Sequence, residues 1–234
     1  MGHALPETVE TLVGTVLAEI EADPRHQLPH QRRRELYATI RAHMDQSGAN
    51  VLGWLAVMTA ERVHPIFQES HPDDTLPREL LDTAVGVLRG AVDDRTVAEM
   101  EDLAYHASGN GWGYDEVELP WPADMAAQAA YHALMEARGR EPLQHLDRIH
   151  VLGEVDLDSG ELSEYPEPIS GEQFTDEQLC TDINSDTAAP AAVASSCNAG
   201  GPACDPEKLR LFWTWWLTEA IPQAWKTAHE EAGT

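Results

Sequence analysis

A mainly α-helical, multi-helix bundle is predicted by three observations. Six segments ahead of residue 140 repeat their apolar residues at intervals of three and four, and prolines or capping residues stand at their ends. Near the C-terminus, LRLFWTWWLTEAIPQAW (Leu209 to Trp225) carries a broad apolar arc with four tryptophans. A small β-hairpin and an acidic loop region are expected before that last helix. With 234 residues and 25.8 kDa the chain is long enough for a continuous core. It is read as one domain, 1–234, with 147–205 as an acidic hairpin-and-loop insertion packed on it.

In Pro6 to Asp23, Val9, Leu12, Val13, Val16, Leu17 and Ile20 make one helix face between Pro6 and Pro24. Pro29 to Gln46 repeats the pattern with Leu36, Tyr37, Ile40 and Met44, and Arg32, Arg33 and Arg34 are assigned to its solvated side. Asn50 to Ser70 is the most apolar segment and the candidate for the most buried helix, with Pro65 expected to kink or split it. Pro77 to Val92, Asp94 to Ala107 and Pro122 to Arg138 complete the six, the fifth with Thr96 and Glu99 at capping-box spacing.

Beyond residue 140 the texture changes. Ile149 to Tyr165 alternates apolar and polar residues about an Asp158-Ser159-Gly160 turn, which predicts the hairpin. Thr187 to Cys204 is rich in Ala, Ser, Gly and Pro and reads as a short helix running into a mobile loop. For the last helix, Asp205-Pro206-Glu207 supplies a cap, a first-turn proline and an acid at the positive end of the dipole. Its arc holds Leu209, Phe212, Trp213, Trp216, Leu217, Ala220 and Ala224, leaving Leu211 and Trp215 outside, and Pro222 should bend the helix or end its first part. Most of the indole is therefore assigned to the core, with Trp215 needing a second surface.

Charge narrows the choice of partners. Fifteen Lys and Arg against 41 Asp and Glu give a formal net charge of -26, which repels nucleic acid and anionic membranes and attracts a basic protein. Composition bias or halophilic adaptation are the bland alternatives, the latter predicting acids spread evenly over every face. The acids are instead concentrated: Asp147, Glu154, Asp156, Asp158, Glu161, Glu164, Glu167, Glu172, Asp176, Glu177, Asp182 and Asp186 share their stretch with Arg148 as the sole base. No secretory pattern or long apolar run is seen, which predicts a cytoplasmic protein. A disulfide between Cys197 and Cys204 is geometrically possible, while a reducing compartment favours free loop thiols.

Sites for chemistry are not convincing. GNGWGYDEVELPWP (Gly109 to Pro122) lacks phosphate-loop spacing and reads as a tight corner. The histidines show no metal-binding signature, DDRTVAE (Asp93 to Glu99) is a helix start, and no GxSxG is present. No catalytic residue, cofactor or metal is assigned. The enzyme alternative is a small helical metal-dependent hydrolase, its pocket lined by His64, His106 or His132.

DPEKLRLFWTWWLTEAIPQAW, with the HPIF turn at His64 to Phe67 and the GNGWGY corner, resembles the all-α immunity proteins of bacterial polymorphic toxin systems, the family numbered five. The resemblance covers most of the chain and is sharpest at Asp205 to Trp225. It implies a noncatalytic cytoplasmic protein that binds and neutralises a cognate toxin. The charge pattern adds a basic toxin domain as the partner, with Asp156, Asp158, Glu161, Glu164, Asp176, Glu177, Asp182 and Asp186 as the electrostatic surface and Trp215 as an anchor.

Overall fold

The structure, a computed structural model, describes residues 4–47, 49–110, 121–139, 186–197 and 204–233. The described residues are mainly helical. In chain order they form α1 (Glu7–Ala22), α2 (His30–Ser47), α3 (Val51–Ser70), α4 (Leu76–Leu88), α5 (Asp94–Asn110), α6 (Trp121–Ala137), α7 (Ala188–Ser196), α8 (Pro206–Trp215), a π-helical turn (Trp216–Ala220) and α9 (Ile221–Ala232). Among the described residues the only β pairing is a single bridge, Cys197 to Cys204. The expected hairpin at Ile149 to Tyr165 and most of the Gly109 to Pro122 corner lie outside them. No helix of the described residues is long and apolar enough to cross a membrane.

The core is built around α3 and α6. α3 is buried on most of its circumference, as its apolar composition predicts, through Trp54, Leu55, Val63 and Phe67 among others. α6 buries a series of alanines from Ala123 to Ala137, and so little side-chain volume lets its neighbours pack close against it. Asn50 ties the pair together: its side-chain oxygen accepts the Gly53 amide at the start of α3, and its side-chain nitrogen donates to the Ala137 carbonyl at the end of α6. α3 is not split at Pro65, and the HPIF segment is helical. Pro65 is exposed, so water can satisfy the carbonyl whose helical donor it removes.

Several element ends differ from expectation for local reasons. α4 stops at Leu88 because Gly90 adopts a φ of +65°, and the Ala91 amide reaches back to the Gly86 carbonyl at 2.8 Å, a left-handed helix stop. At α5 the cap is Asp93, which accepts the Thr96 amide at 2.8 Å; that bond holds its carboxyl below the usual range. Glu99 pairs with Arg95 rather than closing a capping box.

The alanine-rich stretch corrects a larger expectation. The expected short helix is present as α7, and it is central: eight of its nine residues are buried, and it packs against α3, α6 and α8. Cys197 and Cys204 are joined in a disulfide, with Cα atoms 4.0 Å apart, instead of remaining loop thiols. The same junction is fastened by the Asp205 amide, which donates to the Ser196 carbonyl.

The C-terminal helix starts where expected, with the Asp205 carboxylate accepting the Glu207 and Lys208 amides. Its first α-helical part ends ahead of Pro222, as expected. A π turn widens the helix just before the proline, the Ile221 amide bonding the Trp216 carbonyl five residues back, and α9 continues to Ala232. Proline lacks the amide a regular helix needs and crowds the carbonyl four residues earlier, and one wider turn relieves both.

Candidate partner-binding surface

Trp213 and Trp216 are buried, as their places on the arc predict, Trp216 completely, with its indole N–H donating to Thr59 Oγ1 at 3.0 Å inside α3; Trp225, which was not assigned to the arc, is buried as well. Trp215 is one residue before Trp216 and about 100° around the helix, and it is only partly buried. Phe212 packs against it from the preceding turn, and the Arg62 guanidinium lies 4.8 Å from the ring centroid. Leu211, one turn before Trp215 on the same side, is 53 % exposed.

Trp215 is a wall of an open cleft of about 770 Å³ between the chain ahead of α1, the middle of α3 and the π turn. Leu5, Met58, Ala220 and Pro222 give it an apolar floor, and Glu10 and Glu219 stand exposed at it. Neither carboxylate has an ion-pair or hydrogen-bond partner among the described residues. Lys226 is also at the cleft, 3.9 Å from Glu230. The π turn belongs to this geometry: without the extra residue of a wide turn, the side chains after Ala220 would be rotated relative to Trp215.

A second assembly lies at the root of the acidic stretch. Asp186 was expected on the electrostatic surface, but its side chain has no exposure. Its Oδ2 accepts from Arg33 Nε at 2.8 Å and from the Tyr37 hydroxyl at 3.1 Å, while Oδ1 caps α7 by accepting the Ala189 amide. Arg33, expected on the solvated face of α2, is 3 % exposed and also donates to the Leu28 carbonyl. Next to this pair, buried Glu136 accepts the amide and hydroxyl of Thr187 at 2.7 and 2.8 Å. Burial and the neighbouring Asp186 and Glu136 charges hold the Tyr37 phenol well above its usual range. The contacts made by Glu136 and Asp186 thus hold the end of α6 and the start of α7 to one place in the core.

Sequence reasoning missed this clasp, although half of its signal was present. The spacing that turns Leu36, Tyr37 and Ile40 inward also turns Arg33 inward. Nothing local names its partner, which is 153 residues away. The other acids assigned to the surface, Asp156, Asp158, Glu161, Glu164, Asp176, Glu177 and Asp182, lie outside the described residues.

The histidines of the enzyme alternative do not form a centre among the described residues. His64 is buried on α3, and its pKa is lowered by burial and by nearby Arg78. His132 is buried on α6, while the side chain of His106 lies outside the described residues. No three potential metal ligands come together among the described residues.

An all-α body whose open surface includes an apolar cleft with a half-exposed tryptophan is a helical protein with the features of a protein-binding face. The chain belongs to the family described as Immunity protein Imm5, whose model matches residues 13–163. Membership points to an immunity function, with a toxin as the general kind of partner. Comparison with individually curated proteins gives no match. The family match includes the HPIF and GNGWGY segments. It ends before Asp205 to Trp225, where the resemblance was judged sharpest, so the family signature resides in α1 to α6 and the stretch just after them.

Proposed function

We propose that this protein neutralises a cognate toxin domain in the cytoplasm by binding it, and that the toxin face it covers is basic. The observation carrying this reading is the concentration of acid in a member of an immunity family: twelve carboxylates between Asp147 and Asp186, with Arg148 as the only base among them. Toxin domains that cut nucleic acid need positive charge where the substrate lies. A strongly acidic inhibitor is steered toward such a face and occludes it.

The roles divide by distance. Asp156, Asp158, Glu161, Glu164, Asp176, Glu177 and Asp182 supply long-range attraction, which acts on the association rate and fades as salt screens it. Trp215 supplies a short-range anchor, since a partly buried indole held by Phe212 and Arg62 buries further area at little entropic cost. Asp186 is withdrawn from the surface set and given the task of rooting the acidic stretch in the core.

The test is co-purification with the toxin domain encoded beside this gene, followed by association kinetics at low and high salt. Neutralising Asp156, Asp158, Glu161 and Glu164 together should slow association at least tenfold at low salt and little at high salt. An unchanged low-salt rate would remove the steering role, and failure of the wild-type proteins to associate would remove the toxin-binding reading.

A further inference from the structure

The Trp215 cleft has a composition that selects one kind of occupant. Its floor is apolar, made by Leu5, Met58, Ala220 and Pro222 beside the indole. Its acids, Glu10 and Glu219, come from different helices, are exposed and have no cationic partner among the described residues. Elsewhere among the described residues arginines take up several acids: Glu19 and Glu35 by Arg32, Glu61 and Asp82 by Arg78, and Glu21 and Glu207 by Arg210. Lys226 has its own carboxylate, Glu230, on the next turn.

We infer that the cleft receives a single lysine or arginine side chain projecting from the toxin, an inference that rests on the toxin-binding reading above. The methylene stem lies along Met58, Leu5 and Pro222, and the cationic head meets the Glu10 and Glu219 carboxylates. Long basic side chains have this division, apolar along the stem and charged at the tip. A purely apolar side chain would satisfy the floor and leave two carboxylates to be desolvated without compensation. An acidic side chain would be repelled, and a second copy of this chain would bring the same charge of -26 toward itself. Arg62 holds one approach to the indole, which fixes Trp215 as a rigid wall for the stem.

Two measurements on the full chain decide the matter. In the first, the Trp215 indole N–H resonance, assigned with Trp215→Phe, is followed while N-acetyl-arginine amide, N-acetyl-lysine amide, N-acetyl-norleucine amide or N-acetyl-glutamate amide is added. The two cations should give saturable shifts, norleucine at least fivefold weaker binding, and glutamate none. The Glu10→Gln/Glu219→Gln double variant should lose at least tenfold in affinity for the cations. Both carboxylates are exposed and unpartnered, so its unfolding curve should match the wild type. Absence of a Trp215 shift with either cation, norleucine binding as well as they do, or an unaffected double variant would overturn the inference.

In the second, the same double variant is tested against the toxin domain from the adjacent gene, where a tenfold or larger rise in Kd is expected. Wild-type binding with an unchanged Kd in the variant would sink the cleft assignment and leave the toxin-binding reading intact. If the wild type does not bind that domain, the broader reading falls, and the small-molecule titration still decides whether the cleft is cation-selective.

Discussion

Carboxylates do opposite work at the clasp and at the cleft. Beside α7, Asp186 is removed from water and both of its carboxylate oxygens face donors: Arg33, Tyr37 and the Ala189 amide. At the cleft, Glu10 and Glu219 are exposed, and no described residue satisfies them. The first arrangement fixes structure, because a buried charge is tolerable only in one geometry. The second leaves charge available to an outside partner. A net charge of -26 is therefore not one property but at least two, and mutations should separate them.

The clasp should give the largest effect on stability. Asp186→Ala takes the Asp186 carboxylate away from the buried Arg33 guanidinium and from the Ala189 amide at the start of α7, which should cost about 3–5 kcal/mol in denaturant unfolding. If it costs under 1 kcal/mol, the Arg33–Asp186 pair is not the fixed point described here. Pairing it with Arg33→Met sharpens the test: with both charges gone the loss should be markedly smaller than the sum of the two single losses, as coupled buried partners require.

Trp216 follows closely. Trp216→Ala removes a fully buried indole, its edge contact with Tyr37 and its bond to Thr59, and should destabilise by about 3–5 kcal/mol. Trp216→Phe should recover most of the packing and leave the Thr59 hydroxyl still bonded to the Leu55 carbonyl, so that its cost falls well below that of the alanine variant.

A third buried carboxylate is intermediate between the two regions and gives an effect that pH can switch. Asp124 is 4 % exposed in the first turn of α6; among the described residues its Oδ1 has no partner and only Gln128 approaches Oδ2, at 3.4 Å. Burial raises its pKa from 3.8 to about 7, outweighing the Gln128 bond that acts the other way. Because the folded value is the higher one, its neutral form contributes fully below about pH 4, and that contribution is lost as pH rises through 7. Asp124→Asn should therefore flatten the fall in stability between pH 4 and 8 and stabilise the protein at pH 8 by roughly 2–4 kcal/mol. The asparagine nitrogen also gives the unpartnered Gln128 Oε1 a possible donor. Unfolding curves whose pH dependence matches the wild type would place the titration elsewhere.

These contrasts also mark what the sequence could disclose. Periodicity located seven helical segments and caught the split between Trp216 and Trp215, because a helix wheel depends only on neighbours within a few turns. The Asp205 cap was equally legible, as both donor and acceptor lie within four residues. The clasp was not, since Arg33 and Asp186 meet only through the tertiary fold. α7 was undervalued for a related reason: a helix of alanines has no amphipathic stripe, and small residues on every side fit a crowded centre as well as they fit a loop. The cleft was half legible: Trp215 stood out as the aromatic left off the apolar arc, whereas Glu10 and Glu219 look like ordinary surface acids until α1 and the π turn bring them to one opening.

The smallest stability effect belongs to Trp215, and that is what makes it the sharpest probe of the comparison. Trp215→Ala gives up part of a half-buried ring and an exposed cation–π contact with Arg62, together about 1 kcal/mol, well below the cost of removing its neighbour. Against the toxin domain the order should invert. An anchor tryptophan truncated at the centre of an interface costs about 2 kcal/mol or more of binding, roughly thirtyfold in Kd, while rim acids alter mainly the rate of encounter. Calorimetry or surface-binding kinetics on Trp215→Ala would then show faster dissociation with association hardly altered. If instead the variant unfolds as readily as Trp216→Ala, the indole is part of the core and the cleft is a seam of the bundle, not a docking face. A stable variant with unaltered dissociation would leave the fold described here in place and move the anchor to another part of the surface.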